Sequence, residues 1–359
     1  MLSAREAVRG LPTYYPPLGG RNGLRLDFNE NAVGCSPRVL ERLHQIGAEE
    51  LARYPERAPV EGMVAAYLGV KPEELLLTNG VDEAIHLICE TYLEPGDEAL
   101  IVVPTFSMYE IFARAPGARI ASIPAGANFS FPTHTILRNI TPSTRLIAIA
   151  NPNNPTGAAA LEEEILLVAQ SGPNAAVLVD EAYFEFHSQT LLGGWRELPN
   201  LFVARTFSKA YGLAGLRAGV LMGDAQQMDA VRKVASPYNV NSVALACLPE
   251  ALRDEEYVRA YVSEVCEGRE RLQGELQNLG IPFWPSRANF VLMRMGGANA
   301  AFIQTMRERG ILVRDRSRDP GCEGCVRITL GSSKQTDRLL EALREVVQEI
   351  GLARQEVRS

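Results

Sequence analysis

Leu201-Phe202-Val203-Ala204-Arg205-Thr206-Phe207-Ser208-Lys209-Ala210-Tyr211-Gly212-Leu213-Ala214-Gly215-Leu216-Arg217 is the stretch on which the reading of this chain turns. Its apolar start has the length of a buried strand and stops at Arg205, so Lys209 is presented on a turn at the strand's carboxyl end. Among Phe207, Ala210, Leu213 and Leu216 an ammonium is poorly solvated. That lowers the cost of the neutral amine and makes it a better nucleophile towards a carbonyl. Ser208 and Arg217 flank it, and Ala214 and Gly215 let backbone approach something bulky. A hydroxyl, an amine and a guanidinium suit a phosphate-bearing ligand with a reactive group beside it; taken alone, the stretch also reads as a solvated surface loop.

Upstream, the same plan repeats. Leu75-Leu76-Leu77-Thr78 is a buried strand that runs into Asn79-Gly80-Val81-Asp82-Glu83 and then a helix carrying Ala84, Ile85, Leu87 and Ile88. Free backbone N–H groups and the positive end of the helix dipole point the same way there, which makes Gly80, Val81 and Asp82 a phosphate cup. The strand Ala99 to Val103 is followed by Phe106, the strand Leu146 to Ala150 by Asn151-Pro152-Asn153-Asn154-Pro155, and the strand Ala175 to Val179 by Asp180-Glu181-Ala182-Tyr183. Strands alternating with helices from about 75 to 220 predict an α/β fold with a mainly parallel sheet flanked by helices. Ligands on such sheets sit at the carboxyl ends of the strands. Gly80, Phe106, Asn154, Asp180 and Lys209 all fall at that edge. A carboxylate at a strand end also serves nucleotide hydrolases, but the Gly-x-x-x-x-Gly-Lys-Ser/Thr loop that holds a triphosphate is absent from the sequence.

The composition excludes several classes. The chain has 359 residues, 46% hydrophobic and 22% charged, enough for one large core and a second smaller one. A net charge of −7 without a basic stripe argues against a nucleic-acid binder, and no apolar run approaches the roughly 20 residues of a membrane span. Arg5 and Arg9 have no apolar run or cleavage site behind them, so the sequence reads as cytoplasmic. The six cysteines are mostly isolated in apolar surroundings, as reduced packing residues are. Cys322-Glu323-Gly324-Cys325 reads as a glycine-containing hairpin turn, since neither a second pair nor a nearby histidine completes a zinc tetrahedron. No metal site is expected.

Three parts are expected: an N-terminal arm over 1–26, a large domain over 27–248 and a smaller α+β domain over 249–359. The prolines of Leu11-Pro12-Thr13-Tyr14-Tyr15-Pro16-Pro17 rule out a helix and predict an extended arm. Leu24 to Asn31 reads as a short strand ending in polar residues, Ser36-Pro37 as a helix start, and Tyr54-Pro55-Glu56 as a turn. In the last strand Val326, Ile328 and Leu330 share one face, which puts Arg327 and Thr329 on the other.

The five groups at one sheet edge are those that pyridoxal phosphate uses. With Leu11 to Tyr14, Asn29-Glu30-Asn31, Arg53 to Glu56, Gly80 to Glu83, Pro104 to Phe106, Asn151 to Gly157, Asp180 to Tyr183, Ser208-Lys209 and Ala214 to Arg217, the chain resembles the fold-type I aminotransferases of class I and II. Within them it looks like the histidinol-phosphate aminotransferases. The resemblance implies that Lys209 carries the aldehyde of pyridoxal 5'-phosphate, Asp180 pairs with its ring nitrogen, Phe106 stacks on the ring, and Asn154 and Tyr183 reach its hydroxyl. It implies a phosphate held by Gly80, Val81, Asp82, Ser208 and Arg217, with Tyr54 reaching the cofactor of a neighbouring subunit in a homodimer. For small amino and oxo-acid substrates it implies Arg327 on the carboxylate and Arg314 with Tyr14 on a distal phosphate, beside Asn29 and Asn154. The two arginines can exchange these tasks.

The chain departs from the pattern at Phe106, where the family often has tyrosine, at Ala32-Val33, which lacks a proline, and at Val81, which replaces a smaller residue. An aromatic amino-acid aminotransferase shares every catalytic residue and differs only in the side-chain pocket. A threonine-phosphate decarboxylase also reads a phosphorylated substrate, although Asn29-Glu30-Asn31 looks less like that branch.

Overall fold

The computed structural model describes residues 2–16 and 19–351. Met1, Pro17 and Leu18 of the expected arm, and residues 352–359 of the expected C-terminal domain, lie outside the described residues.

The N-terminal segment makes one helical turn, Glu6–Arg9, upstream of the prolines that forbid a helix further on. The strand expected over Leu24 to Asn31 is only two residues long, β1 (Leu24–Arg25), and pairs in parallel with Ile311–Leu312. It ends because the chain turns away to meet the C-terminal part: Leu26 O accepts from Thr329 N at 2.9 Å, and Asn29 takes a left-handed φ of 55°. Ser36 then caps the helix Pro37–Gln45, accepting from Arg38 N, with Pro37 in the first turn.

Seven strands form the central sheet: β2 (Leu75–Thr78), β3 (Glu98–Val103), β4 (Arg119–Pro124), β5 (Thr144–Ala150), β6 (Ala176–Asp180), β7 (Leu201–Thr206) and β8 (Gly219–Gly223). Their spatial order is β2-β8-β7-β6-β5-β3-β4. All neighbours are parallel except β8, which runs antiparallel to both β2 and β7. Every residue of β2, β6, β7 and β8 is buried, as helices on both faces require, and each fully buried Val or Leu contributes about 1.5–3 kcal/mol. β8 went unread in the sequence because it follows the Lys209 loop after two residues and begins and ends in glycine. Its Gly219 lies against Gly80, where a Cβ would meet the Gly80 carbonyl carbon at 2.7 Å. The registers Thr78 to Gly219 and Thr206 to Gly219 bring the ends of β2 and β7 level with each other on either side of β8.

A second sheet holds β9 (Phe283–Trp284), β10 (Phe290–Arg294), β12 (Arg314–Asp315) and β13 (Cys325–Thr329) in the antiparallel order β12-β13-β10-β9, while β11 (Ile311–Leu312) pairs with β1. The expected boundary at residues 248 and 249 falls inside the helix Ser242–Arg253, which contains Pro249 and packs on Pro37–Gln45. The long helix Glu255–Leu279 follows it. Cys322 and Cys325 sit in the hairpin between β12 and β13, turned by Gly324 at φ 69°, and are buried with Leu292 beside Phe129 and Trp284. Among the described residues there is no cluster of metal-binding side chains, and no helix is long and apolar enough to cross a membrane.

Candidate active site

Because β2, β3, β5, β6 and β7 run the same way, Gly80, Phe106, Asn154, Asp180 and Lys209 leave one edge of the sheet together. A cavity of about 540 Å³ opens there. Lys209, Ser208, Arg217, Asp180, Tyr183, Phe106, Val81, Asp82 and Tyr14 are among the residues that line it.

The loop after β7 is braced by backbone. Phe207 N donates to Ala218 O at 3.0 Å, Leu213 N to Phe207 O at 3.1 Å and Gly212 N to Lys209 O at 3.2 Å. Gly212 has φ 70°, and a Cβ there would meet Gly34 O at 2.3 Å. Lys209 Nζ, thus aimed inwards, donates to Phe28 O at 3.2 Å. Burial, reinforced by the charge of Arg327, pushes its ammonium down to about 8.

Asp180 ends β6 and is 6% exposed. Its Oδ1 accepts from Ala182 N at 2.9 Å and its Oδ2 from the Tyr109 hydroxyl at 2.5 Å. Burial still pushes the carboxyl up to about 6. At the other end, Gly80 (φ 79°) precedes the helix Val81–Tyr92, and a Cβ on Gly80 would meet Arg217 Nη2 at 2.6 Å. The guanidinium therefore lies over the helix N-terminus, at 3.1 Å from Asp82 Oδ2. Ser208 is buried beside it.

The C-terminal sheet supplies the far side. Arg327 and Arg314 are register partners on β13 and β12. Arg327 donates through Nη1 to Asn154 Oδ1 and through Nη2 to Asp27 O at 2.8 Å, while its buried Nε has no partner. The Arg314 side chain has neither a hydrogen bond nor an ion pair among the described residues. Its guanidinium lies 5.0 Å from the Phe28 ring centroid, with Arg21 at 4.3 Å from the same ring. Asn29 Nδ2 donates to the Tyr183 hydroxyl at 2.8 Å, and Thr329 Oγ1 donates to Asn29 Oδ1 at 3.0 Å.

Of the residues expected at the site, the structure brings Tyr14, Val81, Asp82, Phe106, Asn154, Asp180, Tyr183, Ser208, Lys209 and Arg217 onto the cavity wall. Gly80, Asn29, Arg314 and Arg327 stand one contact behind it, through Arg217, Tyr183, Phe28 and Asn154. Tyr54 does not line the cavity; it is 78% exposed and stacked on Tyr238 with ring centroids 4.3 Å apart. Sequence reasoning assigned nothing to Tyr109, Phe28 or Glu30, which also line the cavity. Tyr109 follows Phe106 by three residues, and that spacing was the one signal available for it. Glu30 offered none beyond being an acid between two asparagines.

Residues 21–343 match the family described as aminotransferase class I and II. The histidinol-phosphate aminotransferase of Dehalococcoides mccartyi is 35% identical over 325 residues, covering 90% of each chain. That of a Geobacillus species is 34% identical over 367 residues, covering 97% of this chain and 99% of the relative. Among solved structures, the histidinol-phosphate aminotransferase of Sinorhizobium meliloti in complex with pyridoxal-5'-phosphate superposes with a TM-score of 0.86 at 24% identity, over 96% of this chain and 97% of that one. At that identity the likeness speaks for the fold.

Proposed function

The chain belongs to the class I and II aminotransferase family, and from that premise we propose that it transfers the amino group of histidinol phosphate to 2-oxoglutarate, giving imidazole-acetol phosphate and glutamate. The observation that carries the reading is that the Lys209 amine and the Asp180 carboxylate share one cavity with Arg217 at a helix N-terminus. The curated relatives support the substrate. We place the reaction in histidine biosynthesis, in the cytoplasm.

The donor set fits pyridoxal 5'-phosphate. The Arg217 guanidinium packs against Gly80 so closely that a Cβ there would meet Nη2 at 2.6 Å, and this cation, the helix N-terminal amides and Ser208 suit a phosphate dianion. When bound, the cofactor supplies an electron-withdrawing ring that stabilises negative charge on the substrate α-carbon. Asp180 is then the partner of the ring nitrogen, held in place by Tyr109 and Ala182 N. Phe106 offers a face for stacking, and Asn154 and Tyr183 offer polar groups to the ring's edge. Lys209 would hold the cofactor through its Nζ, and the same amine, when free, would be placed to take the proton from the substrate α-carbon. An amine depressed to about 8 keeps a larger neutral fraction near physiological pH than an ordinary lysine does, as that task needs.

Arg327, with an unpartnered Nε, is the fork for a carboxylate. Arg314, without a partner of its own, takes the phosphate with Tyr14. Two arginines answer two demands, since histidinol phosphate has no carboxylate and glutamate has no phosphate. The exposed Tyr54 is free to reach the cofactor phosphate of a second subunit, which makes the functional unit a homodimer with composite sites.

The test is a single-turnover assay on holoenzyme mixed separately with histidinol phosphate, phenylalanine and glutamate, following the visible absorbance of the bound cofactor. Conversion by histidinol phosphate at far lower concentration than by phenylalanine supports the reading, and Arg314→Gln then raises the histidinol phosphate requirement more than the glutamate requirement. Preference for phenylalanine with histidinol phosphate inert moves the chain to the aromatic branch. Full turnover by Lys209→Ala would falsify the mechanism built on Lys209.

A further inference from the structure

Glu30 has no place in the chemistry above, yet its side chain lines the cavity beside Tyr14, Phe28 and Lys209 and keeps a quarter of its surface open. Its Oε2 is engaged by Arg21 Nη2 at 2.8 Å and faces Arg25 Nε at 3.5 Å. Among the described residues nothing bonds Oε1. The carboxylate is not free to swing: Arg21 is pinned by Asp27, at 3.1 Å and 2.8 Å to its two oxygens, and by the Phe28 ring beneath it. Asp27 is buried and fixed in the turn that ties Leu26 to Thr329. A chain of charges therefore holds in place a side chain that lines the cavity and keeps one oxygen unbonded among the described residues.

The anions this reaction uses cannot be what that oxygen is for. Phosphate and carboxylates are served by Arg217, Arg314 and Arg327, and a carboxylate beside them repels the same ligands. A carboxylate acceptor held in place by an arginine suits a ring N–H, above all on a ring that carries part of a positive charge. We propose that Glu30 reads the imidazole ring of the amino substrate, its Oε1 accepting the ring N–H while Arg21 holds the carboxylate in position. The inference rests on the histidinol phosphate reading given above. It also explains how one cavity can reject a phenyl side chain of similar size: a phenyl ring leaves Oε1 desolvated and unpaired, and a site built to bond an N–H discriminates strongly against an analogue that lacks it. The distal carboxylate of glutamate has to turn away from Glu30, so the two half-reactions diverge at this residue.

The experiment compares wild type, Glu30→Ala and Glu30→Gln as holoenzymes in single-turnover half-reactions with histidinol phosphate, phenylalaninol phosphate and glutamate. In Glu30→Ala the preference for histidinol phosphate over phenylalaninol phosphate falls roughly 10- to 100-fold, through the concentration dependence more than the limiting rate, and the glutamate half-reaction stays within roughly threefold. In Glu30→Gln, Arg21, a donor only, keeps the amide oxygen and turns the NH2 to the cavity. The preference falls there too, by less, because a neutral ring can still offer its unprotonated nitrogen. The same ratio is read at equilibrium by calorimetry of the two phosphates on apoenzyme. An unchanged ratio in both variants overturns the inference, as does an equal loss on all three substrates, which is the signature of a merely structural Glu30. If Glu30→Ala fails to fold, Glu30→Gln, which keeps the acceptor for Arg21, decides alone. A wild type that prefers the phenyl analogue overturns the function together with this inference; a wild type that prefers histidinol phosphate, with variants unmoved, overturns this inference only.

Discussion

The Tyr109 hydroxyl donates to Asp180 Oδ2 at 2.5 Å, with Tyr109 1% and Asp180 6% exposed. The tyrosine comes from the helix Met108–Arg114 that follows β3, and the aspartate ends β6, so the contact ties together two strands separated in the sheet by β5. Burial drives Asp180 up towards protonation, and Tyr109 is the larger of the two hydrogen bonds that oppose it. A carboxylate that must stay ionised opposite a ring nitrogen needs that opposition.

Tyr109→Phe removes a donor that favours the ionised carboxylate, so the Asp180 pKa rises further above about 6. The ionised fraction then falls most between pH 6 and 7. We expect kcat to drop roughly 3- to 10-fold near pH 6.5 and by less at pH 8.5, with the melting temperature of the apoenzyme little changed. The pH profile of kcat is the measurement, and a loss equal at both pH values would show that Tyr109 does not act through Asp180.

Asp180 itself destabilises the protein without cofactor. Its carboxyl rises from 3.8 to about 6 on folding, so between those values the folded state binds more protons than the unfolded one and stability falls as pH rises. Above about pH 6 the penalty is complete, on the order of 3 kcal/mol. Asn has no charge to desolvate. Apo Asp180→Asn is therefore expected to melt higher than apo wild type at pH 7.5, with the gap closing as pH falls towards 4, while it loses transamination. Thermal melts of the two apoenzymes across that range check it.

How far this was legible beforehand follows from what each residue's signal was. Lys209, Asp180 and Asn154 stood out because apolar runs stop at them, and an apolar run in a parallel sheet ends at the functional edge. Arg327 was recoverable from strand alternation, since Cys325, Arg327 and Thr329 share the face opposite Val326 and Ile328. β8 was not, because three residues between two glycines carry neither period nor length. Tyr109 and Phe28 were hard to assign for another reason: their roles are contacts between segments far apart in the chain. Phe28 O meets Lys209 Nζ across 181 residues, and Asn29 meets Thr329 across 300. Local pattern cannot encode such pairs; topology creates them.

Lys209 offers a titration readable without turnover. Its ammonium is pushed down to about 8, first by burial and next by the charge of Arg327. Only the neutral amine attacks an aldehyde, so the rate at which apoenzyme takes up pyridoxal 5'-phosphate should climb with pH to a midpoint near 8 and level off. Arg327→Gln removes one of the two leading causes, so its midpoint should move upwards. Stopped-flow reconstitution at a series of pH values reads both, and a midpoint unmoved by the substitution would assign the depression to burial alone.

Gly80 is the position at which a single methyl group separates cofactor binding from the rest of the site. Its φ of 79° with ψ of 175° is a backbone state that L side chains rarely adopt, at a cost of about 1–3 kcal/mol, and a Cβ would meet Arg217 Nη2 at 2.6 Å. The arginine, 42% exposed, can give way, but only by leaving the helix N-terminus. Lys209 and Asp180 lie on other strands and keep their places. Gly80→Ala should therefore weaken pyridoxal 5'-phosphate binding to apoenzyme roughly 10- to 100-fold, by the loss of one charge-assisted contact and strain in the cup. At saturating cofactor, kcat should stay within roughly threefold of wild type. Equilibrium titration of apoenzyme, with inorganic phosphate as a competitor, measures the first. Unchanged cofactor affinity, or a kcat that stays low at saturation, would mean that the phosphate is held elsewhere and that Arg217 serves another group in the cavity.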